Sequence, residues 1–174
     1  ILTIREYKGD FKGLKVAYVG DGNNVTHSLI LACAKTGISV SAACPPGYEP
    51  DREVVEWARR ESLIPGTGVI ITNDPGEALQ GADAVYTDVW ASMGQEDEQV
   101  ERIKVFKPYQ LNAELLQKAK PDAIVLHCLP AHREEEITEE VIEGPQSAVF
   151  DQAENRLHAQ KAVLALVMGD LKKL

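Results

Sequence analysis

The sequence predicts a single Rossmann-like α/β domain, in which helices cover both faces of a doubly wound, mainly parallel sheet. Two observations predict this fold class. Short apolar, β-branched segments alternate along the chain with amphipathic segments, which is the order of a βαβ protein. The apolar segments are also nearly continuous, as in strands that are buried on both faces. The length of 174 residues fits one domain.

Turn and capping residues set the boundaries of these segments. The predicted strands comprise residues 14–19, 38–43, 69–72, 84–87, 123–127 and 148–150, and the predicted helices comprise residues 25–36, 51–61, 75–79, 99–105, 112–118 and 151–168. Pro45-Pro46-Gly47 ends the second strand, and Asp51 and Asp74 are the N-caps of the helices that follow the second and third strands. Pro75 then occupies a first helical position, and Asn112 begins another helix.

Composition excludes several classes of protein. Lys and Arg number 18 against 27 Asp and Glu, so the net charge is −9, and an acidic chain without a basic cluster is not expected to bind nucleic acid. No apolar run approaches the roughly 18–20 residues of a membrane span. The three cysteines are an odd number without a CxxC pair, which disfavours a disulfide framework and favours a reducing compartment.

Both ends of the chain are unusually apolar. Residues 162–168 are all apolar, and Ile1, Leu2 and Ile4 form a second group that begins without Met. A helix that is apolar on every side is buried all round or meets a partner. Two interpretations remain: both ends pack on the sheet of this domain, or they joined another domain of a longer protein.

The segment Gly20-Asp21-Gly22-Asn23-Asn24 follows the first strand and opens the first helix. A dinucleotide fingerprint would have Gly where Val25 stands, and an acid at the end of the second strand, where Cys44 stands. A nicotinamide-linked oxidoreductase is therefore disfavoured. A carboxylate held by Asn24 and the helix N-terminus and a purely structural turn remain as alternatives.

Polar segments follow three further strands. Asp88–Glu96 is acidic and contains Trp and Met; Asp88 suits an ammonium group or simply caps a helix. In His127–Arg133, the flanking His and Arg favour a lowered pKa for the Cys128 thiol. His127, Cys128 and His132 are three potential zinc ligands, but the adjacent His and Cys are an unusual spacing, which disfavours a metal site. In the third of these segments, Asp151–His158, Arg156 is a candidate contact for an oxyanion or phosphate, or a surface residue paired with a nearby acid.

Together these four segments resemble the ornithine carbamoyltransferases. Asp88–Glu96 is similar to the ornithine loop of that family, Asp-x-x-x-Ser-Met-Gly, and His127–Arg133 to its signature His-Cys-Leu-Pro-Ala-His-Arg. The resemblance spans nearly the whole chain, but only as the second, ornithine-binding domain. One departure is Glu134, where many members of the family carry Gly.

The resemblance implies residue roles in ornithine binding. Asn24 would bind the α-amino-acid head, Asp88 would engage the amino groups, and Ser92 and Met93 would add contacts from the loop.

It also implies roles toward carbamoyl phosphate. Cys128 and the Leu129 backbone would lie beside that substrate, Arg156 would contact its carbonyl or phosphate side, and the Leu129–Pro130 bond would be cis. Asp88, Cys128 and Arg156 would be catalytic: Asp88 and a Cys128 thiolate would help to take the proton from the side-chain amine, and Arg156 would stabilise the tetrahedral intermediate.

The activity implied is transfer of a carbamoyl group from carbamoyl phosphate to the ornithine side chain, giving citrulline and phosphate, without metal or cofactor. The family's Ser-x-Arg-Thr and His-Pro-x-Gln motifs are absent from these 174 residues. We therefore expect the carbamoyl-phosphate domain to be missing, the chain alone to be inactive, and residues 1–8 and 151–169 to be helices that connect the two domains. A homotrimer in the cytoplasm, or in the mitochondrial matrix of a eukaryote, is also implied.

Three alternatives stay open at this point. The chain could be an amino-acid-binding module without catalytic activity, or belong to a carbamoyltransferase whose acceptor is a modified ornithine or putrescine. The disfavoured nicotinamide-linked oxidoreductase is the third.

Overall fold

The computed structural model describes residues 1–62, 68–91 and 99–169 of the chain. The strands are β1 (Lys15–Val19), β2 (Ser39–Ala43), β3 (Val69–Thr72), β4 (Ala84–Thr87) and β5 (Ile124–His127). The helices are α1 (Leu2–Lys8), α2 (Asn24–Thr36), α3 (Arg52–Arg60), α4 (Pro75–Leu79), α5 (Gln99–Phe106), α6 (Ala113–Leu116), α7 (Glu139–Ile142) and α8 (Val149–Met168), with a 3₁₀ turn at Lys107–Tyr109.

The five strands form one parallel sheet in the order β3-β2-β1-β4-β5. Tyr18 of β1 lies between Ala42 of β2 and Tyr86 of β4. The chain runs outward from β1 to β3 and then returns to β4, so the strand order reverses between β1 and β4. In open α/β sheets ligands bind outside the carboxyl ends of the strands at such a reversal.

Two hydrophobic clusters cover the two faces of the sheet, which confirms the predicted fold class. Val16 and Tyr18 of β1 pack into one cluster, with residues of α1, α2 and α3. Ala17 and Val19 pack into the other, with residues of α4, α6 and α7. Alternate residues of one strand therefore enter opposite cores, as the period of two in a strand requires.

The predicted strand at residues 148–150 is wrong. Ala148 is the N-cap of α8, and Val149 already belongs to that helix. Ser147 forms only an isolated bridge with Val125. A run of three apolar residues carries no periodicity, so sequence does not distinguish a short strand from the buried first turn of a helix.

The two apolar ends of the chain behave differently. Ile4 of α1 is buried in the core, whereas the last turns of α8 project Leu166, Val167 and Met168 with 62%, 75% and 82% of their surface exposed. The interpretation that residues 162–168 pack on the sheet is therefore wrong. Within the described ranges, no helix combines the length and apolarity that a membrane span requires.

Candidate active site

Three polar segments meet at the carboxyl ends of β1, β4 and β5. Asp21–Asn24 follows β1, Asp88 follows β4 directly, and Cys128 follows β5. Since parallel strands end at the same edge of a sheet, these residues come together although up to 107 positions (128 − 21) separate them in the sequence. The site therefore lies at the reversal of strand order.

Asp88 joins the three segments. Its side chain is buried, and its Oδ2 accepts a hydrogen bond from Nδ2 of Asn23 at 3.0 Å. Its Oδ1 accepts one from the Val89 amide at 2.8 Å and one from the Cys128 thiol at 2.9 Å. A buried carboxylate held in this way has a fixed direction, and its charge favours a cationic group nearby.

Asn23 has two roles that the sequence prediction missed. Its Oδ1 caps α2 by accepting hydrogen bonds from the amides of Val25 at 2.9 Å and Thr26 at 3.2 Å. Its amide nitrogen is then free to face Asp88. The signal was present, because Asn is among the preferred N-cap residues.

Asn24, the residue chosen from the sequence, is exposed. It lines an open cavity of about 280 Å³ together with Tyr86 and Gln152. Asn24 is therefore exposed at the rim of this cavity, whereas Asn23 makes the hydrogen bond to Asp88.

The surroundings of Cys128 oppose the thiolate that was expected from the sequence. Desolvation of the sulfur, the hydrogen bond to Asp88 and the charge of that carboxylate raise the pKa of Cys128 to about 12. The residue as a whole is exposed, but its sulfur contacts the Asp88 carboxylate directly. A negative charge 2.9 Å from the sulfur opposes a second negative charge.

Leu129 follows Cys128 with a left-handed backbone, φ 55°, and the Leu129–Pro130 bond is cis, as predicted. The Leu129 amide donates a hydrogen bond to Nδ1 of His127 at 2.8 Å. The carbonyl oxygen is then the backbone group with which Leu129 can meet a ligand, and a carbonyl suits a ligand that donates hydrogen bonds.

Gln152 of α8 connects the helix to two strands. Its Oε1 accepts a hydrogen bond from the His127 amide at 3.1 Å, and its Nε2 donates to the Tyr86 hydroxyl at 3.0 Å. Arg156 is exposed and stands one turn further along α8, on the same side of the helix as Gln152. Sequence reasoning identified Arg156 but not Gln152, whose hydrogen bonds to β4 and β5 hold this part of α8.

A buried ion pair lies beside the Asp88 cluster. The Arg102 guanidinium of α5 contacts the Asp21 carboxylate and also donates to the Trp90 carbonyl oxygen. The same guanidinium lies 4.9 Å from the centre of the Tyr48 ring. Burial raises the pKa of Asp21, although Arg102 opposes that change. This pair ties the turn after β1 to the segment after β4.

The remaining predicted residues, Ser92 and Met93, lie outside the residues that the structure describes. In the described part of the chain, the potential metal ligands that cluster are His132, Glu135 and Glu136. His127, Cys128 and His132 do not form such a cluster among the described residues, and the Cys128 thiol contacts Asp88 instead.

Comparison with known proteins places this arrangement in a family. The family model for the aspartate/ornithine carbamoyltransferase, Asp/Orn binding domain, matches residues 12–167. The chain is 62% identical to an ornithine carbamoyltransferase of Carboxydothermus hydrogenoformans over 169 residues, which are 97% of this chain and 54% of that protein. It is 58% identical to an anabolic ornithine carbamoyltransferase of Pyrococcus furiosus, over 98% of this chain and 54% of that one.

Solved structures agree with these sequence relationships. An ornithine carbamoyltransferase structure from Pyrococcus furiosus superposes with a TM-score of 0.92 at 58% identity, covering 98% of this chain and 54% of that one. One from Gloeobacter violaceus superposes with a TM-score of 0.88 at 56% identity, covering 97% of this chain and 56% of that one. The chain thus spans about half the length of the relatives that it matches.

Proposed function

The chain belongs to the aspartate/ornithine carbamoyltransferase family, and we propose that it is the ornithine-binding half of an ornithine carbamoyltransferase. The reaction transfers a carbamoyl group from carbamoyl phosphate to the side-chain amine of ornithine, giving citrulline and phosphate. The observation that carries the proposal is the buried Asp88 carboxylate, which stands where the strand order reverses and touches both Asn23 and Cys128.

The Asp88 carboxylate supports a substrate whose side chain carries an amine rather than a carboxylate. Its Oδ2 and Oδ1 are directed by Asn23 and by the Val89 amide, so a substrate ammonium would meet a carboxylate that needs no rearrangement. The same carboxylate can take a proton when the ornithine amine becomes a nucleophile. In the proposal, Asn24 with Ser92 and Met93 holds the rest of the amino acid.

Cys128 acts in this proposal as a hydrogen-bond donor rather than as a base. Its thiol proton already lies toward Asp88, and the raised pKa keeps that proton in place at neutral pH. Asp88 takes one proton from the side-chain ammonium, and the resulting amine attacks the carbamoyl carbon to give a tetrahedral intermediate. The C–O bond to phosphate then breaks, and the departing phosphate takes the second proton from the nitrogen. The Leu129 carbonyl oxygen would accept a hydrogen bond from the carbamoyl NH₂ group.

Arg156 would provide the positive charge for the oxygen of the tetrahedral intermediate and for the phosphate. Its place one turn after Gln152, whose side chain is held by His127 and Tyr86, supports this role. None of these steps requires a metal or an organic cofactor, because attack, proton transfer and departure of phosphate use only substrate and side-chain groups.

The half-length match supports a second domain that binds carbamoyl phosphate. We propose that residues 1–8 and 151–169 are the connecting helices. The exposed apolar surface of α8, which includes Leu166, Val167 and Met168, supports a partner at that end of the helix. We further propose that the intact protein is a homotrimer with shared active sites. It would be located in the cytoplasm or, in a eukaryote, in the mitochondrial matrix. All three cysteines are free, as suits a reducing compartment.

The test uses a chimera in which this chain replaces the matched 169 residues of the Carboxydothermus hydrogenoformans relative. We expect the purified chimera to form citrulline from ornithine and carbamoyl phosphate, and the 174-residue chain to form none. Asp88→Asn in the chimera should reduce kcat/KM for ornithine strongly, because it removes the proton acceptor and the negative charge together.

Assays with other carbamoyl acceptors distinguish ornithine from the alternative substrates. Acetylornithine, succinylornithine and putrescine are tested in the same chimera, and a preference for any of them over ornithine would overturn the choice of substrate. A chimera that folds and binds ornithine by calorimetry but makes no citrulline would instead indicate an amino-acid-binding module.

A further inference from the structure

His127 and Glu136 form a buried polar pair beneath the turn that carries Cys128 and Leu129. Both side chains are 0% exposed, and His127 Nε2 lies 3.1 Å from Glu136 Oε1. Burying a carboxylate costs free energy unless its hydrogen bonds replace those of water. An apolar pair at this position would avoid that cost. We therefore expect the two polar side chains, which lie directly beside the site, to have a role that apolar side chains could not perform.

The hydrogen bonds around His127 determine its tautomer. The Leu129 amide donates to Nδ1 at 2.8 Å, so Nδ1 carries no proton. The proton of the neutral ring is then on Nε2, which donates to Glu136. The ring thus transmits the position of Glu136 to the Leu129 backbone through two hydrogen bonds.

Glu136 holds the turn at a second point. Its Oε1 also accepts a hydrogen bond from the His132 amide at 2.6 Å. A single carboxylate oxygen therefore reaches both ends of the turn formed by residues 127–132. The other oxygen, Oε2, is buried and has no partner among the described residues, so Oε1 makes the contacts that orient this carboxylate.

The turn needs an external constraint of this kind. Leu129 has φ 55°, a left-handed conformation that the β-carbon of a non-glycine residue disfavours. Such a backbone persists only where surrounding contacts hold it. For Leu129, the hydrogen bond that holds its amide is accepted by the His127 ring.

We propose that His127 and Glu136 are positioning residues for carbamoyl transfer: Glu136 fixes the neutral His127 ring, which fixes Leu129 and, next to it, the Cys128 thiol. The catalytic part of this inference rests on the proposed function; the tautomer and the hydrogen bonds do not. Neither residue needs to touch a substrate for this role.

The geometric part is tested on the chain itself by nitrogen-detected NMR. We expect the ring signals of His127 to be those of the neutral Nε2–H tautomer, with a through-hydrogen-bond coupling between the Leu129 amide and Nδ1. A proton on Nδ1, or an imidazolium at neutral pH, would overturn the inference whatever the activity of the protein.

The catalytic part is tested in the chimera with two substitutions that separate the ring nitrogens. The side-chain oxygen of His127→Asn can replace Nδ1 as acceptor for Leu129, whereas His127→Gln reaches toward Glu136 and leaves Leu129 unheld. We expect H127Q to lower kcat roughly 10–100-fold, as small displacements of reacting groups do, and H127N to recover most of it. The KM for ornithine should stay near the unsubstituted value, because Asp88 is outside the pair.

Glu136 is compared with a structural control. Glu136→Gln keeps an acceptor oxygen and should retain more kcat than Glu136→Ala. Val141→Ala, in the buried face of α7, destabilises the same region without touching the turn. If V141A and E136A lowered kcat equally at equal loss of stability, or if H127Q and H127N had the same kcat, the positioning role would be wrong.

An unsubstituted chimera without activity would overturn the catalytic part together with the proposed function, while the NMR result would still decide the geometry.

Discussion

The Cys128 thiol donates a hydrogen bond to the Asp88 carboxylate, with Sγ 2.9 Å from Oδ1. This contact joins the end of β5 to the end of β4. Its chemical effect is opposite to that expected from the flanking His and Arg in the sequence, since the carboxylate charge disfavours the thiolate. Cys128 is consequently a hydrogen-bond donor to Asp88 at neutral pH.

Alkylation of Cys128 should be slow in this protein and faster after Asp88→Asn. Iodoacetamide reacts with the thiolate, and the pKa of Cys128 is raised to about 12. At pH 8 the thiolate is scarce, and the rate should rise about tenfold for each pH unit until that pKa is reached. Removing the Asp88 charge lowers the pKa, so we expect at least a roughly tenfold faster reaction at pH 8.

Mass spectrometry measures this reaction residue by residue. Cys33 and Cys44 are fully buried, so Cys128→Ser should abolish labelling of the native chain. A rapid reaction of Cys128 at pH 7 in the unsubstituted protein would contradict the assignment of a protonated thiol.

Loss of the Arg102 side chain should destabilise the fold in a pH-dependent way. Arg102→Met leaves the Asp21 carboxylate buried without its partner, for which we expect a loss of roughly 3–5 kcal/mol in the free energy of unfolding. Burial already raises the pKa of Asp21, and Arg102 opposes this, so the substitution raises it further. A carboxyl group with a raised pKa in the folded state stabilises the fold below its unfolded pKa, and that stability is lost as pH rises through the folded pKa.

The penalty of Arg102→Met should therefore be larger at pH 7 than at pH 5, as measured by urea denaturation. Adding Asp21→Asn should recover much of the loss, because no buried charge remains. Arg133→Met is the matched control: Arg133 pairs with Glu139 and Glu143 at the surface, where ion pairs contribute little. Equal penalties at both pH values would contradict the burial argument.

The sequence predicted the sheet well because strands, turns and caps are local. All five observed strands lie within predicted ones, and Asp51, Asp74 and Asn112 cap helices as expected. The short helix α7 was missed, since four residues show no helical period. The polar segments that follow the predicted strands also located the site, since Asp88 and Cys128 from two of them are in contact.

Other parts of the site depend on contacts between distant segments. Arg102 meets Asp21 across 81 residues, and no local pattern predicts such a pair. The choice of Asn24 over Asn23 has a similar cause, because the direction of each side chain depends on which one caps α2. The protonation of Cys128 likewise follows from a neighbour 40 residues away.

Glu134 combines a strained backbone with a useful side chain. Its φ is 66°, a left-handed conformation that favours glycine, while its carboxylate accepts a hydrogen bond from the Glu139 amide at 2.8 Å. Glu134→Gly relieves roughly 1–2 kcal/mol of strain and loses a bond worth about 1 kcal/mol, so we expect a small net change. Glu134→Ala keeps the strain and loses the bond, and should be less stable than Glu134→Gly by about 1 kcal/mol.

Thermal denaturation of the two variants measures this order of stability. Glu140, an exposed residue of α7, provides the control, because Gly should be less stable than Ala there by about 1 kcal/mol. The same order of Gly and Ala at both positions would argue against strain at Glu134.

Substitutions of Asn23 should separate its capping role from its contact with Asp88. Asn23→Ser keeps an N-cap oxygen but loses the donor to Asp88, whereas Asn23→Ala loses both and should cost about 1 kcal/mol more in stability.

Asn23→Asp also keeps the cap, yet it places a second carboxylate where Nδ2 now lies 3.0 Å from Asp88. That repulsion should destabilise the variant at pH 7 and disappear as acid protonates one of the two groups. Urea denaturation at pH 7 and pH 5 measures both effects. If N23D were as stable as the unsubstituted chain at pH 7, Asp88 would not be held by Asn23, and the direction of its carboxylate in the site would have another cause.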